Sequence, residues 1–308
     1  MSGPFNLDHT PVYGAVEPLA PSLRCVTAPN GGPMTFTGTR TYILGEGRVA
    51  VVDPGPVDAV HLQAVLAALE PGEEISHILI THAHLDHTAG LPALREITKA
   101  PVVAFGSARA GQSAVMARLI AEGHDLGGGE GIDLAFAPDE TLTDGAVLYG
   151  GSWTVRAIHT PGHISNHLCF DFPQADALLT GDHVMGWATT LVSPPDGDLT
   201  AFMASLDKVQ PFAEGKTLYP GHGAPVQEGI ALIDHIRQHR QMRERQIREA
   251  LAVTPATPQE LTRAIYTDVP AGLLPVAERN VFAHLIDLYV RGVADTETLA
   301  PTARFSLA

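Results

Sequence analysis

Thr81-His82-Ala83-His84-Leu85-Asp86-His87 is the stretch on which the reading of this 308-residue chain turns. Four metal-ligand types, His82, His84, Asp86 and His87, fall within six residues. They directly follow the apolar run Ile75–Thr81, whose composition predicts a short strand. His82 and His84 are separated by one residue, so in an extended segment they point the same way. Asp86 and His87 come where the chain is expected to turn into a helix, and can face a second point in space. One short loop can therefore serve two adjacent metal ions. Without a metal to organise them, buried and mutually repelling imidazoles would be costly.

Working outward, three more segments share one design: a strand end, then glycine, then a ligand type. They are Thr160-Pro161-Gly162-His163, Thr180-Gly181-Asp182 and Pro220-Gly221-His222-Gly223. Glycine permits the tight turns that bring separate loops to one locus. A single His at a strand end, or a single Thr-Gly-Asp, is an ordinary structural feature. All of them recurring in order point to a metal centre.

The elements around these segments alternate. Strands are predicted at Leu23–Ala28, Thr41–Leu44, Arg48–Val52, Ile75–Thr81 and Val102–Phe105 in the first half. In the second half they fall at Val147–Tyr149, Thr154–His159, Leu168–Phe172, Ala177–Thr180 and Thr217–Tyr219. Helical spacing marks Ala59–Leu69, Gly90–Ile97, Ala108–Glu122, Leu199–Val209 and Glu228–Ala252. Gly127-Gly128-Gly129 marks a loop. Strands and helices in both halves suggest two packed sheets with helices outside. Thr254-Pro255-Ala256-Thr257-Pro258 is a linker. Gln259–Tyr266 and Val276–Val290 beyond it read as helices of a small module. The division is a catalytic domain at 1–252 and a C-terminal helical module at 253–308.

Composition narrows the function classes. Hydrophobic residues make up 45% of the chain, enough for a sizeable core. Lys plus Arg is 19 against 34 for Asp plus Glu, a net charge of −15 that repels phosphate backbones. The two cysteines, Cys25 and Cys169, exclude a disulfide scaffold and a cysteine-rich zinc site, and fit a reducing compartment. The first residues carry neither a basic nor an apolar export signal, and no run approaches a spanning helix, so a cytoplasmic protein without a membrane partner is expected.

The H-x-H-x-D-H element with its downstream His, Asp and His resembles the metallo-β-lactamase fold superfamily, over about residues 20–250. The resemblance implies an α/β fold, an αββα sandwich with the metals at one edge of the two sheets. Carried over by motif, His82, His84 and His163 would hold one metal, Asp86, His87 and His222 the other, and Asp182 would bridge them. The second motif position is His84 rather than glutamate, which is similar to the dizinc hydrolases rather than the di-iron branch. Two divalent ions are thus implied; imidazole and carboxylate suit zinc, with manganese or iron as other occupants.

Within the superfamily, Asp182 departs from true β-lactamases, which generally lack a bridging aspartate. Asp182-His183-Val184-Met185-Gly186-Trp187 lacks the Cys-Gly-Arg-type element of the glyoxalase II branch. The interval from Asp182 to His222 is too short for the extra domain of the large nucleases. Three features resemble the LACTB2-like, glyoxalase II-related group of β-lactamase-like hydrolases: Asn30 through Tyr42, Asp53-Pro54-Gly55, and Gly221-His222-Gly223. The tail, with Glu260-Leu261 through Ile265-Tyr266 and Ala283-His284-Leu285, resembles that group's winged-helix-like module. Arg40 departs from the asparagine usual before Thr-Tyr.

The expected activity is hydrolysis of a small ester, thioester or lactone. A water between two divalent ions loses a proton near neutral pH and attacks the electrophilic centre. Asp86, Asp182 and His183 are the candidate catalytic residues. His183, next to the bridging aspartate, either faces substrate as a proton donor or packs. Asp53 either buttresses the ligand loops or forms a turn, and His167 either orients a ligand or packs. His159, His235, His239 and His284 are expected at packing or surface positions, Cys169 in the core, and Trp153 and Trp187 in the core or a pocket wall. The alternative is an endoribonuclease of the same group acting on single-stranded RNA. Its best feature is the run Arg237, Arg240, Arg243, Arg245 and Arg248, which spreads over about half the helical wheel and reads as a solvated face. Residues 251–308 carry four basic against six acidic residues, which disfavours a nucleic-acid grip.

Overall fold

The computed structural model describes residues 4–123, 129, 131–267 and 269–308. Gly127 and Gly128 of the expected loop lie outside the described residues. Strands Val16–Ala20, Leu23–Thr27, Arg40–Leu44, Arg48–Val52, Glu74–Leu79, Val102–Ala104 and Glu140–Thr141 form one sheet in sequence order. A second sheet runs in the order Thr217–Pro220, Ala177–Gly181, Leu168–Phe172, Thr154–His159, Val147–Tyr149.

Strand alternation explains why the sheets stack. In Arg48–Val52, Ala50 and Val52 point between the sheets, where they meet Leu79, Phe170, Leu179 and Tyr219. Val49 and Val51 point the other way, with Ile43 and Ile78, under the helices Ala59–Ala67 and Leu91–Thr98. The second sheet repeats the pattern. Cys169, Leu178 and Leu218 face the helices Leu199–Ala213 and Gly229–Val253. Burial on both faces accounts for the near-continuous apolar runs. The result is the αββα sandwich.

Helix Gly229–Val253 joins the sandwich to the tail. Leu232, Ile233 and Ile236 pack on the second sheet. Ile247 and Leu251, about three to four turns on, enter a separate core with Met116, Leu261, Phe282, Leu285 and Phe305. Thr257 closes a capping box with Glu260 at the start of helix Pro258–Ile265. Helix Leu274–Val290 and the strand pair Ala294–Asp295 and Ser306–Leu307 complete a C-terminal winged-helix domain. Among the described residues no helix is long and apolar enough to cross a membrane.

Candidate metal centre

Four strands deliver the predicted ligands, each at its carboxyl end. Glu74–Leu79 leads to His82, His84, Asp86 and His87, Thr154–His159 to His163, Ala177–Gly181 to Asp182, and Thr217–Pro220 to His222. Two main-chain bonds tie the sheets together at this edge: Leu168 N–H donates to Thr81 O (2.7 Å) and Arg40 N–H to Gly221 O (2.8 Å). The glycine before His222 is forced by close approach: a Cβ at Gly221 would sit 2.3 Å from Asp182 Oδ1 and 2.8 Å from His87 Cε1.

The side chains converge. Nε2 of His82 and Nε2 of His163 lie 2.9 and 3.0 Å from Nδ1 of His84. His222 Nε2 lies 3.1 Å from Asp86 Oδ2 and 3.3 Å from Asp182 Oδ2. His87 Nε2 lies 3.3 Å from Asp86 Oδ2 and 3.6 Å from Asp182 Oδ1. Asp182 Oδ2 also approaches His163 Nε2 (3.7 Å) and His82 Nε2 (4.0 Å). Three donor groups result: His82 with His84 and His163, His82 with His87 and Asp182, and Asp86 with His87 and His222.

Outward-facing atoms fix the tautomers. His163 Nδ1 donates to Leu191 O (2.9 Å) and His222 Nδ1 to Gly38 O (3.2 Å). Thr81 Oγ1 donates to Asp53 Oδ2 (2.6 Å), so it accepts from His82 Nδ1 (3.0 Å). Asp53 Oδ2 also accepts from His87 Nδ1 (2.9 Å), and Asp53 Oδ1 from Thr81 N–H (2.8 Å). In these four histidines the Nε2 lone pair is thereby turned inward, as metal ligation requires. Of the two readings of Asp53, the structure supports the buttress: it bonds two ligand-loop residues from a left-handed conformation, φ 53°. His167 Nε2 accepts from the Asp182 backbone N–H (3.1 Å), holding Asp182 from behind.

The electrostatics suit a cation. Burial, then His87 and His84, holds His82 well below the ordinary histidine range. Burial, then His163, pushes His84 down to about 3. His222 is buried too, yet Asp182 and Asp86 outweigh that and raise it to about 9. The carboxyl of Asp182 is buried and that of Asp86 partly so, but neighbouring imidazoles hold both well below the carboxylate range. His87 Nε2 and Asp182 Oδ1 are buried without a hydrogen-bond partner. Such atoms are costly unless something satisfies them, and a divalent cation fits this donor set.

A cleft of about 640 Å³ opens over the centre. His84, Asp86, His163, Asp182 and His222 form its floor; Met34, Met185, Trp187 and Leu191 form one side. Tyr266, Val269, Leu273, Val276, Ala277 and Asn280 of the C-terminal domain form the other. No described lining residue is Lys or Arg.

Two expectations need correction. His183 does not face substrate: it is fully buried, with its ring edge-on to Phe202 at 4.9 Å, and burial pushes its pKa down to about 3. The arginine run is not wholly solvated. Arg240 is 4% exposed. It donates to Thr190 O and, at 3.0 Å, to Asn280 Oδ1. Thr190 Oγ1 in turn donates to Asp182 O (2.7 Å), so Arg240 braces the loop behind Asp182. Arg40 is buried, bonded to Glu17 and Tyr42, and does not line the cleft. Trp153 lies in the core and Trp187 in the cleft wall.

The Metallo-beta-lactamase superfamily model matches residues 34–222, and the chain belongs to that family. A Beta-lactamase associated winged helix domain model matches residues 257–299. The chain is 34% identical, over 92% of its length and 84% of the relative's, to the atrochrysone carboxyl ACP thioesterase of Aspergillus fumigatus. It is 28% identical to a beta-lactamase-like protein 2 homolog of Caenorhabditis elegans, over 91% of this chain and 88% of that one. A beta-lactamase domain protein from Burkholderia ambifaria shares the fold, with TM-score 0.80 at 21% identity, covering 98% of this chain and 96% of that one. The chain is a hydrolase of the metallo-β-lactamase fold, a fold that usually binds divalent metals.

Proposed function

We propose that the protein is a metal-dependent hydrolase with a dinuclear site, acting on a small ester, thioester or lactone. The observation that carries this is the convergence of seven ligand-type side chains from four strand ends on one locus, five of them in the cleft floor. His82, His84 and His163 would hold one divalent cation, Asp86, His87 and His222 the second, with Asp182 between them. Zinc suits these donors best. When bound, the pair would supply a nucleophilic water at neutral pH and a Lewis acid for the carbonyl oxygen.

The chain's own residues prepare that chemistry. Asp53, Thr81, Gly38 O and Leu191 O hold the imidazoles in the ligating tautomer. The cleft walls limit water around the reacting carbonyl. A thiol nucleophile is disfavoured, because burial pushes Cys25 up to about 11 and Cys169 up to about 12. His183 has no part in the scheme. The Aspergillus fumigatus relative, a thioesterase by name, favours a thioester among the candidate substrates. Two free, buried thiols fit a cytoplasmic setting.

The test is a panel of a thioester, a lactone, nitrocefin and single-stranded RNA, run on protein of measured metal content before and after chelation. Chelator-sensitive thioester or lactone hydrolysis supports the proposal. Preferential cleavage of RNA would put the endoribonuclease reading in its place.

A further inference from the structure

We infer that the cleft is built for an uncharged, apolar acyl group, and that the C-terminal domain supplies the selectivity. The inference rests on the hydrolase reading of the same site and specifies which half of the substrate the walls hold.

The lining chemistry carries it. Above the metal-ligand floor the walls are dominated by apolar side chains from two sides: Met34, Trp187 and Leu191 against Tyr266, Leu273 and Val276. Trp187 is stacked on Phe36, centroids 5.0 Å apart and planes 8° apart, so this wall is a braced aromatic surface. The charged groups among the described lining residues belong to the floor, where Asp86 and Asp182 are already committed to ligation. A carboxylate or phosphate seated between the walls would lose its hydration and meet no Lys or Arg among those residues. The chain's net charge of −15 opposes it further.

The mouth continues the pattern. Met34, Leu85 and Leu273 are 56%, 44% and 52% exposed, and all three border this one cleft. Single exposed apolar residues are ordinary, but a group around one opening marks an apolar contact. The volume of about 640 Å³ is in the range of pockets that enclose ligands well beyond an acetyl group. In the reaction, water oxygen bonds to the acyl carbon and the carbon–sulfur bond breaks. The thiol leaves with one proton, and the acid is released as its carboxylate with the other proton to solvent. The anion forms only at the floor, among the residues that would hold the cations, so the walls need accommodate only the neutral acyl body.

The test uses the metal-loaded, full-length protein and N-acetylcysteamine thioesters, whose thiol is small and uncharged. The acyl groups are acetyl, butyryl, hexanoyl and succinyl. kcat/KM should rise about threefold to fourfold per added methylene, and the succinyl ester should fall at least tenfold below butyryl. Leu273→Lys, at an exposed position, should flatten the ladder and favour succinyl relative to butyryl. Calorimetric titration with the corresponding amides reads the cleft without turnover. Chelator-sensitive turnover with a flat ladder, or with succinyl preferred, would overturn the apolar cleft and leave the hydrolase standing. A ladder in amide binding with no thioester hydrolysed would do the reverse. No ladder in either measurement, or competition by an RNA oligomer alone, would overturn the inference.

Discussion

Replacing Asp53 with asparagine should disable the metal centre while leaving the fold intact. Asparagine has nearly the same shape and tolerates the left-handed conformation at this position, φ 53°. What changes is the hydrogen-bond code. Asp53 Oδ1 accepts from Thr81 N–H, so a carboxamide must keep its oxygen there and put its NH2 where Oδ2 now accepts from Thr81 Oγ1 and His87 Nδ1. His87 Nδ1 must then accept, its proton moves to Nε2, and the inward lone pair is lost. Loss of such an orienting partner costs about 10–100-fold in metal affinity. The metal-free protein loses one charge-assisted bond, about 1.5–3 kcal/mol. Competition for Zn2+ against a chromophoric chelator reads the affinity, and thermal denaturation of the chelated protein reads the stability. Affinities at both sites within threefold of the parent would refute the tautomer argument. Collapse of the fold would show that Asp53 acts on the loop rather than on His87.

Three further outcomes are expected. Arg240→Met should weaken metal binding from a distance, because it removes the donors to Thr190 O and Asn280 Oδ1, and should lower stability by about 1–3 kcal/mol; unchanged zinc affinity would deny the bracing role. His61 is buried, with Nε2 donating to Thr41 Oγ1 (2.9 Å), since that hydroxyl donates to Asp53 O, and with Nδ1 unpartnered. Burial lowers its pKa to about 4, so below about 6.5 the unfolded chain takes up a proton that the folded chain refuses until about 4. Stability of the chelated protein should therefore fall across that window by on the order of 3 kcal/mol, and urea unfolding at both ends should show a smaller loss in His61→Gln. Ending the chain after Val253 would uncover Ile247, Leu251, Met116 and Leu119 and remove one cleft wall, so turnover and solubility should drop while zinc still binds; full kcat/KM on small substrates would contradict the shared cleft.

The ligand loops were legible because ligand type, glycine and strand end recur at four places, a pattern that local chemistry alone makes improbable. The sandwich followed from alternating elements with two-sided apolar strands. The orientation of single polar residues was harder to read. His183 follows Asp182 directly, but both lie in the turn after Ala177–Gly181, closed by His183 N–H to Thr180 O (3.0 Å), and that turn directs Asp182 to the ligand cluster and His183 toward Phe202. Arg240 sits in a run of arginines whose other members give no hint that one turns inward. Packing against helix Leu274–Val290, the loop at Thr190 and the Phe202 ring buries it. Asp53 could be a turn residue or a buttress in the sequence, and three long-range hydrogen bonds decide between them.

The central claim is that one cluster of seven side chains holds two cations on which hydrolysis depends. Elemental analysis and turnover on a single preparation, through chelation and stepwise return of Zn2+, test it most directly. Close to two equivalents per chain are expected, with hydrolysis lost on stripping and regained as the metal returns. A ceiling of one equivalent at saturation, or undiminished hydrolysis by metal-free protein, would contradict it.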